Sequence, residues 1–142
     1  MLGDNLIGHK EITIDNKGRI QLPKDSGVEK NDELIFIKDE KTNIIKLMNK
    51  YDIEKRIETL KEKTLNTTIQ KELEKIHSEI TLIKLLCFDT VKVDSRNRIL
   101  LLKEYRNENK KITLVGMNNY YLVFKNKEEI DEYTNKLKKT IY

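Results

Sequence analysis

Two short motifs in this sequence have residue types that suit the binding of anions. In each of them an aspartate precedes an arginine by four residues. Residues 15–19 read DNKGR and residues 94–98 read DSRNR. A guanidinium group presents a planar fork of donors that suits two-point contact with a phosphate or with the edge of a guanine. An aspartate in a turn accepts hydrogen bonds from the backbone two residues further on. The two motifs therefore predict anion-binding loops, each shaped by its own carboxylate.

Positive charge is concentrated around these two motifs. The chain has 28 Lys and Arg against 24 Asp and Glu among 142 residues, a formal net charge of only +4. Residues 9–24 carry four basic and two acidic side chains, residues 92–106 carry five and two, and residues 51–86 carry seven of each. Four of the five arginines lie in the two basic segments. Such a surface predicts binding of double-stranded DNA mainly through its phosphates, with an affinity that falls as salt rises.

Six basic side chains lie in the motifs or just after the strand that follows each motif. These are the expected DNA contacts: Lys17, Arg19, Lys24, Arg96, Arg98 and Lys103. Four residues are expected to shape the loops, by capping the turn or by tolerating positive φ: Asp15, Gly18, Asp94 and Asn97. Two interpretations of Arg19 and Arg98 stay open, since each can contact DNA directly or pair with its aspartate and brace the loop. For Lys24 and Lys103 the alternative is an ordinary solvated lysine.

The sequence offers little for an enzyme or a metal site. His9 and His77 stand apart from any nucleophile or metal-ligand arrangement, and Cys87 lies in an apolar run. No glycine-rich phosphate loop occurs in the sequence. We therefore expect no catalytic residue, no metal, no cofactor and no small-molecule substrate. No apolar run approaches the roughly 18 residues of a membrane span and the first residues lack a secretion signal, so we expect a cytoplasmic protein without membrane contact.

An internal repeat organises the chain. Residues 12–24 read ITIDNKGRIQLPK and residues 91–103 read VKVDSRNRILLLK, at an offset of 79. The similarity continues at offsets of 78 and then 77, as far as residues 45–50 and 122–127. Such a small drift in the offset is typical of loop-length variation between two copies of a duplicated unit, and the repeat therefore predicts two similar halves.

Each repeat unit predicts four short strands followed by a helix. Ile12 and Ile14, and then Ile20 and Leu22, alternate with polar residues as half-buried strands do. Residues 51–86 predict two helices, and the apolar residues of the second recur every three or four positions, which favours a core-facing helix over an oligomer seam. The predicted organisation of this α+β chain has three parts: a first half (1–50), a two-helix connector (51–86) and a second half with a C-terminal helix (87–142).

The duplicated unit of strand, loop and strand, with two helices after the first copy and one after the second, resembles the MraZ family of bacterial regulators. Four segments carry the resemblance: residues 1–3 (MLG), residues 14–23 and 93–101 around the two motifs, and residues 112–117 (ITLVGM). MraZ proteins consist of two tandem AbrB-like halves, so the resemblance implies swapped-hairpin β-barrel units. The second motif has Asn97 where the family usually has glycine, and Leu102 where it usually has proline.

The same resemblance implies a function. It implies transcriptional control, typically autorepression of the division and cell-wall gene cluster, by a closed ring of subunits that binds short direct repeats in promoter DNA. A protein of this kind is expected at the nucleoid. By the motif match, Arg19 and Arg98 take the family's DNA-contacting role, with Lys17 and Arg96 beside them on the loops.

Two other functions remain open. An AbrB-like transition-state regulator or antitoxin would bind DNA and a protein partner, although such proteins usually carry one copy of the unit and a partner-binding tail. A scaffold would use the β-units and helices for protein contacts only, and its basic loops would have no role. The full second copy and the helical connector favour a regulator of the MraZ type.

Overall fold

The computed structural model describes residues 1–106 and 110–142, and it confirms an α+β fold with a C-terminal helix. The described residues form antiparallel sheets and four helices, one more than the sequence predicts. The first half contributes four strands: β1 (His9–Thr13), β2 (Arg19–Gln21), β3 (Glu33–Lys38) and β4 (Ile45–Asn49). Two helices follow: α1 (Lys50–Leu65) and α2 (Gln70–Leu86). The remaining elements are β5 (Cys87–Lys92), β6 (Arg98–Leu100), α3 (Lys103–Arg106), β7 (Lys111–Gly116), β8 (Tyr120–Phe124) and α4 (Lys127–Ile141).

The two halves exchange their first strands. A six-stranded antiparallel sheet has the order β1-β7-β8-β4-β3-β5, so β1 of the first half pairs with β7 of the second, and β5 of the second half pairs with β3 of the first. Strands β4 and β8, which are equivalent in the repeat, pair at the centre. If each strand is replaced by its equivalent in the other half, the strand order reads the same from the opposite edge of the sheet. This is the pattern that an internal two-fold relation requires, and it shows that the two halves share one sheet.

Strands β2 and β6, also equivalent in the repeat, form a separate two-stranded ribbon. Ile20 lies opposite Ile99 in this ribbon, and both side chains are 1% exposed, so their face of the ribbon packs on the core. Backbone hydrogen bonds extend the pairing at both ends. The N–H of Leu22 donates to the carbonyl of Asn97 (2.8 Å), and the N–H of Leu101 donates to that of Gly18 (2.9 Å). Each motif loop is thereby attached to the strand of the other half.

The hydrophobic core draws on both halves. Phe36 and Leu47 from the first half and Leu114 from the second are completely buried. Each such side chain contributes roughly 1.5–3 kcal/mol to folding by leaving water. Because strands from the two halves alternate across the sheet, neither half encloses its own apolar residues, and the two must fold together.

Helices α1 and α4 are equivalent in the repeat but differ in how they are covered. In α1, Ile53 and Leu60 are buried, because α1 packs on β3 and β4 and α2 packs on α1. On the apolar side of α2, Ile80 is buried, whereas Ile69, the residue just before the helix, is exposed. Helix α4 contains no buried residue, and its Leu137 is 44% exposed.

Among the described helices, none combines the length and the apolar character that crossing a membrane requires.

Candidate nucleic-acid interface

The first motif loop is organised by the carboxylate of Asp15. Its Oδ1 accepts hydrogen bonds from the backbone N–H groups of Lys17 (2.9 Å) and Arg19 (2.8 Å), and its Oδ2 accepts from Nε of Arg19 (3.0 Å). Gly18 completes the turn at φ 78°, in the left-handed region. The backbone N–H of Arg19 is the main reason that the pKa of Asp15 lies below its usual value, and the charge of Arg19 lowers it further.

The second motif loop repeats this geometry. Oδ1 of Asp94 accepts from the backbone N–H groups of Arg96 (2.9 Å) and Arg98 (2.8 Å), and Oδ2 accepts from Nε of Arg98 (2.9 Å). Asn97 occupies the position of Gly18 at φ 57°. Burial raises the pKa of Asp94, but the hydrogen bonds from the backbone of Arg98 and Arg96 outweigh it, and the pKa is lowered overall. An asparagine can therefore close the same turn that a glycine closes in the first loop.

Each motif arginine uses one edge of its guanidinium for the loop. Nε of Arg19 and Nε of Arg98 bind their aspartates, and the two side chains are 28% and 23% exposed. Within residues 1–106 and 110–142, the terminal nitrogens of both arginines donate no hydrogen bond. Both arginines therefore brace their loops, as one of the two interpretations expected. This contact uses one of the five N–H donors of each guanidinium and leaves four that could bind an anion. Bracing and DNA contact are compatible in one side chain.

The ribbon of β2 and β6 places both motif arginines on one surface. Arg19 lies opposite Leu100, and Gln21 lies opposite Arg98, while Ile20 between them faces the core. Because side chains alternate along a strand, Arg19 and Arg98 point away from the core on the same face, two register positions apart, which is roughly 7 Å along the strands. The face between the loops therefore carries two guanidinium groups, one from each half, and each of them is paired with its own aspartate.

The other expected DNA contacts surround this ribbon. Lys17 and Arg96 are exposed within the two loops. Lys24 is exposed at the start of a single 3-10 turn, Lys24–Ser26, and Lys103 is exposed at the start of α3. Lys103 lies beside the first loop, with which it lines a shallow cavity of about 310 Å³. The structure thus brings a lysine of the second half to the loop of the first half.

Arg106 belongs to this surface and was not among the expected site residues. Its side chain lies over Gly18, where an added Cβ would come within 2.1 Å of Cδ of Arg106. Nε of Arg106 is buried and has no hydrogen-bond partner among the described residues. The sequence signal was available, since Arg106 is the last arginine of the second basic segment. Its proximity to the first loop depends on the fold, which joins residues 88 positions apart.

The residues that an enzyme or metal site would use lie on three different elements. Cys87 is half-buried at the start of β5, and burial raises the pKa of its thiol. His9 lies in the edge strand β1, whereas His77 lies in α2. Among the residues that the structure describes, no three His, Cys, Asp or Glu side chains are grouped to hold a metal ion.

A scan against models of protein families matches none of them to this chain, and a search of curated proteins finds no match. The geometry of the two loops and of the shared ribbon therefore carries the functional argument.

Proposed function

We propose that this protein is a sequence-specific DNA-binding transcriptional regulator of the MraZ type. The observation that carries the proposal is the pair of matching loops on one ribbon, each with an arginine that is braced by an aspartate and whose terminal nitrogens donate to no other described residue. Such a surface suits phosphates at its lysines and a phosphate or guanine edge at Arg19 and Arg98. The six expected contacts lie in or beside the loops.

The architecture that we propose is that of two AbrB-like swapped-hairpin barrel units. Two features support it. The first strand of each half pairs in the other half, and the two second strands pair with each other. One carbonyl of each loop accepts a backbone hydrogen bond from the opposite half, which favours a rigid pair of loops. A rigid pair loses little conformational entropy when it binds DNA.

We further propose that several copies act together in a ring. One copy offers six basic side chains, and two of these are already paired with aspartates, so we expect a single copy to bind DNA weakly. Copies arranged side by side would bind successive direct repeats and gain affinity by avidity. The exposed apolar residues of α2 and α4, which include Leu85 at 75% and Ile141 at 71% exposure, support contacts between copies. In this proposal the protein represses the division and cell-wall gene cluster, including its own gene. It would act at the nucleoid, in the cytoplasm.

A second candidate is an AbrB-like transition-state regulator or antitoxin, which also binds a protein partner. The uncovered apolar side of α4 favours it, because a partner could occupy that side. Copurification of the protein with a small, stoichiometric toxin would support this candidate over the ring.

The proposal is tested by selecting bound duplexes from a random DNA pool. A regulator of this type is expected to enrich a short motif, present as tandem direct repeats with constant spacing. Binding to the selected duplex should weaken steeply with added salt. Failure to enrich any sequence, together with weak and salt-insensitive binding, would contradict the proposal.

Arg19→Ala then tests the loop itself on the selected duplex. We expect an affinity loss of roughly tenfold or more, because a charge-assisted contact is removed. The free energy of unfolding should change by less than about 1 kcal/mol, as is usual for a partly exposed ion pair. Arg56→Ala, in an exposed position on α1, is the matched control for loss of one positive charge. A melting temperature lowered by several degrees with affinity intact would identify Arg19 as a brace only.

A further inference from the structure

We propose that the cavity between the first motif loop and α3 binds one backbone phosphate of DNA, and that Arg106 is a DNA-contacting residue there. The inference rests on the proposed DNA-binding function and adds a site to it. The cavity has a volume of about 310 Å³ and six lining residues: Asp15, Asn16, Lys17, Gly18, Lys103 and Arg106. Three of these are cations, and they come from both halves of the chain.

The charge balance of this cavity favours an anion. Asp15 is its one acidic lining residue. Both oxygens of that carboxylate already accept hydrogen bonds from the loop, and Arg19 pairs with it. The positive charges of Lys17, Lys103 and Arg106 are therefore in excess. A phosphate oxygen accepts hydrogen bonds from all three types of N–H donor found here: ammonium, guanidinium and backbone amide.

Arg106 is held in place before any anion binds. Its aliphatic stem fills the space above Gly18 that a side chain at residue 18 would need. Its Nε is buried with no partner in the described part of the chain, and a buried charged donor without a partner is costly. An anion in the adjoining cavity would bind a guanidinium whose position is already fixed. Arg106 is thus preorganised for a phosphate, and none of the described residues supplies a hydrogen-bond partner for its Nε.

The second loop differs from the first at the positions equivalent to those of this cavity. The repeat offset of 79 relates each residue of the cavity to a counterpart at the other loop. The counterparts of Lys17, Gly18, Lys103 and Arg106 are Arg96, Asn97, Lys24 and Gly27. A glycine thus replaces the third cation, and Asn97 carries a side chain at the position where Gly18 leaves room for the stem of Arg106. The first loop is therefore the stronger phosphate site, and the two loops make unequal contributions to binding.

Arg106→Met separates phosphate binding from packing, because methionine keeps an unbranched apolar stem over Gly18 and removes the charge. DNA affinity is measured for the selected duplex over a range of salt concentrations, with Arg56→Met as the matched control. We expect Arg106→Met to weaken binding roughly tenfold at low salt. The slope of log affinity against log salt should decrease in magnitude by about 0.9, the value for one lost phosphate contact. Arg56→Met should keep the affinity and slope of the unaltered protein.

Unchanged affinity and slope in Arg106→Met would overturn the inference and leave Arg106 as a packing residue. Absence of salt-dependent binding by the unaltered protein would instead contradict the proposed function itself. If Arg106→Met does not fold, as judged by its melting curve, Lys103→Met takes its place, because Lys103 is exposed and lines the same cavity. The same decrease in slope is then expected, and an unchanged slope would overturn the phosphate site.

Discussion

The carboxylates of Asp15 and Asp94 hold their loops by the same three hydrogen bonds, although the loops differ at three of the five motif positions. The shared geometry comes from the two residues that are identical, the aspartate and the arginine. The position that needs positive φ accepts Gly18 in one loop and Asn97 in the other, the two residue types that enter this region most readily. At the scale of single residues, the loop is therefore determined by local chemistry.

The role of the carboxylate predicts a pH dependence of stability. Because the pKa of Asp94 is lowered in the folded protein from an ordinary value of 3.8, the folded state binds fewer protons than the unfolded state in acid. The stabilisation is complete above pH 3.8 and is lost as the pH falls through the lowered pKa. We expect Asp94→Asn to be less stable than the unaltered protein in urea denaturation at pH 6. This difference should shrink progressively below pH 3.8, and a difference that stays constant with pH would contradict the prediction.

Among the elements, the ribbon of β2 and β6 determines the distance between the two loops. Its strands are only three residues long, and they are stabilised mainly by the packing of Ile20 and Ile99 rather than by ladder length. Alternation then places the arginines on the opposite face. The register that buries the two isoleucines is thus the same one that places Arg19 and Arg98 side by side.

Ile99→Ala tests this role of the ribbon. The side chain is 1% exposed, so we expect the free energy of unfolding to fall by about 2–5 kcal/mol. Leu100→Ala, in the next position and 44% exposed, should change it by less than about 0.5 kcal/mol. Equilibrium denaturation in urea measures both. Equal effects of the two substitutions would mean that the ribbon does not pack on the core as described.

At the scale of the whole molecule, comparison of the two repeat units shows that the apolar side of α4 is left exposed. Helix α2 covers the apolar side of α1, and no described helix covers the equivalent side of α4, so Leu137 is exposed where its counterpart Leu60 is buried. Helix α2 also carries Leu82 and Leu85 exposed near its end. In the proposed ring, the α2 end of one copy would pack against α4 of the next, a head-to-tail contact that can close into a ring.

Cysteine cross-linking tests this contact. In a Cys87→Ser background, we expect Leu85→Cys and Leu137→Cys chains to form a disulfide-linked dimer when coexpressed and oxidised. Neither chain alone should form one. Leu65→Cys, in an exposed position at the end of α1, is the control that should cross-link to neither. Cross-links within a single variant would indicate a symmetric contact instead, and a monomer or simple dimer in light scattering would contradict the ring.

The sequence by itself determined what depends on neighbours along the chain. Alternation predicted the strands, the repeat predicted two halves, and the α+β class and the C-terminal helix are confirmed. Helix α3, with four residues, is too short for a periodic signal. Only the tertiary structure decided the pairing order of the six-stranded sheet and the approach of Arg106 to Gly18. Both depend on contacts between residues far apart in sequence, which form because joint burial of the two halves is more favourable than burial within each.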